Sequence, residues 1–331
     1  MSNVRYSTGF SGSAGSAVLT ENGSFFLTDF RYAEQIKSEV TEYDHIIRQN
    51  MLECLNELSL MQADMKVGFE ADHMSVSELN LLKEKFPNVE WVETKLIVER
   101  VAAVKDENEI ECFKSACKII DTVFEEILNI IKEGVTENEL AAEISYRTKM
   151  MGSEVDPFEP IIASGWRSAL PHGISSTKKI KKGEMIVIDF GATVGGYAGD
   201  MTRTVAVGDP DEKMVQIYEV VLGAQKAAVD AAREGVSGAE LDAVARGYIS
   251  ERHYGEQFGH SLGHGLGLDV HSWPRVSEVN KEPLLTNMVV TIEPGVYLPG
   301  LGGVRIEDDI VIKKDGCENL TGSPKEFISV G

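Results

Sequence analysis

The chain has 331 residues, 43% of them apolar and 26% charged, a balance that supports packed domains and excludes a disordered chain. A formal charge of −21 repels phosphate backbones and anionic lipids, so nucleic-acid and membrane partners are excluded as first readings. No segment approaches the ~20 apolar residues that span a bilayer, and the first ten residues have no basic stretch ahead of an apolar run, so a cytoplasmic protein is expected.

Along the first hundred residues, short strands and helices alternate. Asn22-Gly23 lies between the apolar runs Ala17 to Leu19 and Phe25 to Leu27, a hairpin signal. Further strands are expected at His45 to Ile47 and Lys66 to Phe69. From Asp106 the pattern becomes helical, with Ile110, Phe113, Cys117 and Ile120 on one face. A boundary between 95 and 105 follows, with a polar connection ahead of Asp106, giving domains 1–100 and 101–331. Cys54, Cys112, Cys117 and Cys317 form no CxxC pair and read as reduced structural thiols.

The second domain repeats itself. Gly134-Val135-Thr136-Glu137-Asn138-Glu139-Leu140 returns as Gly235-Val236-Ser237-Gly238-Ala239-Glu240-Leu241, an offset of 101 (235 − 134). In both copies a hydroxyl residue precedes a glutamate by three positions, the capping box of a helix start. Farther on, Met185 to Gly191 resembles Met288 to Gly295, which pairs Asp189 with Glu293. Each apolar run is followed by a glycine-rich turn and a returning strand with a second acid, Asp200 in one half and Glu307 in the other. A period near one hundred residues is too long for a solenoid and fits a duplicated α/β half-domain.

Four carboxylates converging from apolar strands would repel one another unless cations lay between them. An oxygen-rich set with a histidine suits manganese, cobalt, iron or zinc. Four of the seven histidines, His253, His260, His264 and His271, fall between Tyr248 and Pro274. Gly259 to Gly267 is interrupted by glycines and lacks the glutamate of HExxH, which argues against a helical zinc pair. The alternation of Leu266, Leu268 and Val270 instead suggests a strand with Asp269 and His271 on its other face, while His253 reads as a surface residue. The same two-residue period sets Thr202 beside Asp200 and Arg305 beside Glu307, as neighbours that orient the ligands. For Arg305 the competing reading is an ordinary surface ion pair.

Pro171-His172-Gly173, Asp189-Phe190-Gly191, Gly199 to Thr204, Gly259 to Pro274, Glu293-Pro294-Gly295 and Val304 to Asp308 together resemble the pita-bread metallopeptidases, which include methionine aminopeptidase, aminopeptidase P, prolidase and creatinase. The first hundred residues are similar to the creatinase-type N-terminal domain of the proline-specific branch. The resemblance implies an α/β (α+β) protein, a creatinase-like domain followed by a pita-bread catalytic domain with an internal pseudo-twofold repeat. Because relatives usually place another strand and helix before Asn3-Val4-Arg5-Tyr6, the first domain is expected to be shortened.

Position by position, the resemblance implies that Asp189 and Asp200 bind one divalent ion, that Asp200 and Glu307 bridge, and that His264 and Glu293 complete the second. Manganese comes first, with cobalt, zinc or iron as alternatives. Glu293 would also take the proton of the attacking water. His172 and His271 would stand beside the scissile bond, His260 would line the pocket, and Arg275 would meet a substrate carboxylate or else lie on the surface. The expected substrates are short peptides with proline second, cut by an Xaa-Pro aminopeptidase or, alternatively, by a prolidase that accepts only dipeptides. A homodimer is expected from the same resemblance. The reading from another class is an inactive peptide-binding relative, against which retention of all five ligands counts.

Overall fold

Residues 1–50, 54–55, 60–62 and 64–331 are described by the structure, a computed structural model, and they divide into two units, Met1–Ala102 and Ala103–Gly331. In the first unit, helix α1 (Ser2–Thr8) ends at Gly9, whose φ of 82° only glycine adopts readily. Strand β1 (Gly15–Thr20) then pairs antiparallel with β2 (Gly23–Thr28), with Val18 opposite Phe25. Because Thr20 already pairs with Gly23, the loop is Glu21-Asn22, one position earlier than the Asn22-Gly23 dipeptide suggests.

Strand β3 (Asp44–Ile47) adds parallel to β2. Strands β4 (Lys66–Glu70) and β5 (Glu90–Thr94) pair parallel, joined through α2 (Val76–Lys85), which Ser75 and Glu78 cap reciprocally. Phe10, Phe26, Ile36 and Val40 form one buried cluster, and Leu27, Leu82, Phe86 and Val89 belong to another. The expected polar connection is helical, because Ile97–Ala103 holds seven residues without glycine or proline and forms α3.

The second unit opens on α4 (Glu107–Leu128), capped by Asp106 and burying Ile110, Phe113, Cys117 and Ile120 as the periodicity requires. The repeat is physical. Helix α5 (Glu137–Met150) starts at Thr136, whose hydroxyl accepts the Glu139 amide while Glu139 accepts the Thr136 amide. Strands β6 (Ile161–Ser164), β7 (Met185–Val194) and β8 (Tyr197–Val207) follow, and then α6 (Glu212–Ala231). Helix α7 (Gly238–Ser250) starts at Ser237 and Glu240 with the same pair of bonds. Single bridges Thr136 to Lys179 and Ser237 to Pro283 recur at corresponding places.

The remaining strands are β9 (Gly263–Gly265), β10 (Ser272–Val276), β11 (Val289–Ile292), β12 (Gly295–Leu298), β13 (Gly302–Arg305), β14 (Asp308–Lys313), β15 (Gly316–Asn319) and β16 (Ser329–Val330). They complete one sheet ordered β16-β8-β7-β6 and another ordered β10-β9-β11-β14-β15. Among the described residues no helix is long and apolar enough to cross a membrane.

Two local expectations differ from what is seen. Leu266 to Val270 is a bend rather than a strand, closed by the Gly267 amide on the Asp269 carbonyl at 3.1 Å; Leu266 is still buried and Asp269 exposed. The second hairpin is also not a copy of the first. Strands β7 and β8 pair without interruption, whereas β11 stops at Ile292 and pairs with β14. Pro294 has no N–H to continue a ladder, and β12 and β13 form a separate two-stranded sheet. Glu293 is therefore placed at a break between strands.

Candidate metal centre and active site

Every residue of β8 after Tyr197 is buried, and in β7 only Val194 is not, so acids on these strands are withdrawn from water on both faces. Asp189 comes from β7 and Asp200 from β8. Glu307 follows β13, Glu293 follows β11, and His264 lies in β9. The two halves are stitched at this point: the Glu307 amide donates to the Thr202 carbonyl at 3.1 Å, and the Asp200 amide donates to Asp309 Oδ2 at 2.8 Å.

His264 Nε2 lies 3.4 Å from Glu293 Oε1 and 3.9 Å from Asp200 Oδ2. Ligand atoms of Asp200, His264 and Glu307 all lie within 4.8 Å of one another. His264 Nδ1 is 3.0 Å from the Gly265 carbonyl, which can only accept, so Nδ1 carries the proton and the Nε2 lone pair faces the acids. Burial lowers the His264 pKa to about 4, which keeps the ring neutral and able to act as a ligand near pH 7.

The carboxylates divide their oxygens between protein and site. Arg305 Nη2 donates to Asp189 Oδ2 at 2.5 Å, and the Thr202 hydroxyl donates to Glu307 Oε2 at 2.7 Å. The opposite oxygens, Asp189 Oδ1 and Glu307 Oε1, are buried and have no hydrogen-bond partner, as is Asp200 Oδ1. Burial raises the pKa of all four acids. For Asp200 and Glu293 the Glu307 charge adds to it, for Glu307, which reaches about 7, the Asp189 charge does, and for Asp189 Arg305 opposes it. Orphaned oxygens around a neutral imidazole are what divalent cations complete, so the donor set fits such ions.

The neighbours expected from strand spacing are present with exchanged partners. Thr202 serves Glu307 rather than Asp200, and Arg305 serves Asp189 rather than Glu307, each reaching across to the other half. At 4% exposure Arg305 is no surface ion pair. Sequence reasoning missed Tyr297, whose hydroxyl accepts from Arg305 Nη1 at 3.0 Å and lies 3.0 Å from His260 Nε2. His260 Nδ1 donates to the Ser261 carbonyl at 2.8 Å, and burial lowers this ring to about pKa 4. The Tyr297 hydroxyl must then donate to Nε2, completing a chain from Arg305 to His260.

The remaining expected residues stand around this centre. The His271 ring meets His264 edge-on at 4.4 Å. His172, exposed on the loop after β6, acts electrostatically on Asp189, His260 and His271. Arg275 is exposed, opposite His264 in the β9–β10 register, and close enough to His271 to depress its pKa further after burial has done so. His253, exposed with φ 68°, lies outside the cluster.

Residues 1–104 match the creatinase/prolidase N-terminal domain, and residues 111–314 match metallopeptidase family M24. The chain belongs to metallopeptidase family M24. It is thus a peptide-bond hydrolase of a family that uses divalent metals, with a creatinase-type domain ahead of a pita-bread domain. Among M24 relatives, an Xaa-Pro dipeptidase of Pyrococcus horikoshii is 41% identical over 327 residues, 98% of this chain and 92% of that protein. The structure of an Xaa-Pro dipeptidase from Bacillus anthracis superposes with a TM-score of 0.94 at 40% identity, covering 99% of this chain and 92% of that one. An X-Pro aminopeptidase from Thermotoga maritima gives 0.89 at 40% identity, covering 99% and 93%.

Proposed function

We propose that this M24 chain is an Xaa-Pro dipeptidase using a pair of divalent cations, manganese being the first to test. The observation that carries the hydrolytic reading is the ring of buried, unpartnered carboxylate oxygens around neutral His264. For the dipeptide preference, support comes from the relatives named Xaa-Pro dipeptidase in two Pyrococcus species, 41% and 39% identical. The aminopeptidase reading, placed first from sequence, has less support, since the X-Pro aminopeptidase of Thermotoga maritima stands beside several prolidases of similar identity.

In this account Asp189, Asp200, His264, Glu293 and Glu307 would hold the cations. When bound, the cations supply Lewis acidity to the attacking water and the scissile carbonyl. Glu293, steadied by the Thr291 hydroxyl at 3.2 Å, takes a proton from that water and returns it to the proline nitrogen as the C–N bond breaks. His172 and His271 donate hydrogen bonds to the charge that develops at the reacting carbonyl. Arg305 fixes Asp189 and, through Tyr297, the His260 ring that lines the pocket. Arg275 meets the carboxylate of the substrate, which in a dipeptide lies one residue from the bond that breaks.

The test compares proline release from Ala-Pro with release of alanine from Ala-Pro-Ala, with manganese and with a chelator. Cleavage of the dipeptide, abolished by chelator, with little cleavage of the tripeptide is the expected result. Arg275→Ala is expected to raise KM for Ala-Pro roughly tenfold with a smaller change in kcat, since it loses one charge-assisted contact. Efficient cleavage of the tripeptide would establish the aminopeptidase instead.

A further inference from the structure

The two histidines assigned to the scissile bond lie in corresponding segments, between β6 and β7 and between β9 and β11, and the repeat sets a helix N-terminus against part of each segment. In the second half the contact is made by backbone. The Ala239 amide donates to the Asn280 carbonyl at 2.8 Å and Asn280 Nδ2 donates to the Arg275 carbonyl at 2.7 Å. A Cβ on Gly238 would come 2.5 Å from that same Arg275 carbonyl, so no side chain fits there.

In the first half the position corresponding to Gly238, at the repeat offset of 101, is Glu137, which is fully buried at 0% exposure. Its Oε1 accepts from the Ser164 amide and the Ser164 hydroxyl, both at 2.8 Å. Its Oε2 accepts from Arg167 Nε at 2.9 Å and the Ser176 hydroxyl at 2.6 Å. Ser164 and Arg167 precede His172 and Ser176 follows it, so one carboxylate holds both feet of the loop. The same helix start adds the Asn138 amide on the Ser176 carbonyl at 2.9 Å. Arg167 closes the arch from within, donating through Nη2 to the Ile174 carbonyl at 2.5 Å.

Burial of apolar surface does little to shape the top of this loop, because Trp166, Leu170 and Ile174 are 54%, 42% and 69% exposed. Its inner side is tied by Arg305 Nη1 to the Pro171 carbonyl at 3.0 Å, and by the Gly303 amide to the Ser168 hydroxyl at 2.8 Å. At its outer feet Glu137 is joined by Lys178 Nζ, which donates to the Ser164 hydroxyl at 2.8 Å, and by Ser175, whose hydroxyl accepts from the Ile162 amide and donates to the Pro160 carbonyl, both at 2.9 Å. A charge with four donors in the first turn of a helix is well compensated, and none of the chemistry assigned above uses it.

We propose that Glu137 is a positioning residue, setting the His172 loop against the substrate while leaving the metal ligands alone. The inference rests on the role given to His172 under the proposed function. A double-mutant cycle separates the two: kcat/KM for Ala-Pro in manganese-loaded wild type, Glu137→Ala, His172→Ala and the double variant, with manganese affinity measured for each. Glu137→Ala is expected to lose roughly tenfold to a hundredfold of activity, the scale of a small misplacement of a reacting group. In the His172→Ala background the same change is expected to lose little more, and manganese affinity to stay at the wild-type value.

Equal losses in both backgrounds, or reduced manganese affinity, would overturn the proposal while sparing the role of His172. Full activity in His172→Ala would remove that role and the proposal with it. Ser176→Ala, which releases a single tie at the far foot, gives the same comparison if Glu137→Ala does not fold. Its loss is expected to be smaller and likewise absent without His172.

Discussion

Glu293→Ala is expected to lower kcat for Ala-Pro by about a thousandfold in manganese-loaded protein, within the range for removal of a general base. The geometry gives two reasons. Its Oε1 lies 3.4 Å from His264 Nε2, where the proposal puts a ligand, and 3.2 Å from the Thr291 hydroxyl, which limits its rotation. Thr291 also accepts the His264 amide at 3.1 Å, so base and ligand share one anchor. Because the alanine variant removes a ligand as well as a base, Glu293→Gln is its companion: it keeps an oxygen for the metal and loses the basicity. Both variants are expected to keep about a thousandth of wild-type turnover at saturating manganese, with the glutamine variant retaining more metal. Near wild-type turnover in either loaded variant would refute the assigned role.

Without metal, the buried acids of the centre are expected to take stability from the folded chain as pH rises from about 5 to 8, while His260 and His264, held near pKa 4, act the other way up to about 6.5 and Lys105, lowered to about 7, acts the other way above that. The sign follows from the acids. Burial, reinforced for Asp200, Glu293 and Glu307 by neighbouring charges, holds their folded pKa values above the unfolded ones, so the folded state keeps protons that the unfolded state has released. Their contribution then falls with pH across that window, beginning near the ordinary carboxylate value. Glu307, raised from 4.5 to about 7, makes its contribution between those two values. Manganese, which needs the carboxylates ionised, is expected to raise the melting temperature most at the alkaline end. Asp200→Asn is expected to stabilise the chelated protein near pH 8 and to abolish most of the gain from manganese. Thermal unfolding of wild type and Asp200→Asn at several pH values, with and without chelator, checks this; a chelated variant no more stable relative to wild type at pH 8 than at pH 5 would contradict it.

What could be read from the residues was largely what local chemistry controls. Capping boxes at Thr136 and Ser237 announced two helix starts, and apolar spacing from Ile110 to Ile120 gave the buried face of the long helix. Matched acids in the two halves were visible because duplication leaves a pattern in sequence. Long-range partners were not visible. A two-residue period places Arg305 on a face with Glu307, but cannot say that its guanidinium crosses to Asp189 on the other hairpin. Tyr297 gave no signal, being one aromatic residue in an apolar run whose hydroxyl finds Arg305 and His260 only after folding. The alternation at Leu266 to Val270 mimicked a strand because a bend between glycines can also bury one residue and expose another. The break at Glu293 was written in Pro294, although the symmetry with Asp189 pointed toward a continuous hairpin.

The most direct test of the proposed pair of cations is a calorimetric titration of chelator-treated protein with manganese, compared with Asp200→Asn. Two ions per chain are expected for the wild type and weakened binding for the variant, because Asp200, whose ligand atom lies within 4.8 Å of those of His264 and Glu307, would help hold them. A chain that binds no manganese, or an Asp200→Asn variant that binds both ions as tightly as the wild type, would contradict it.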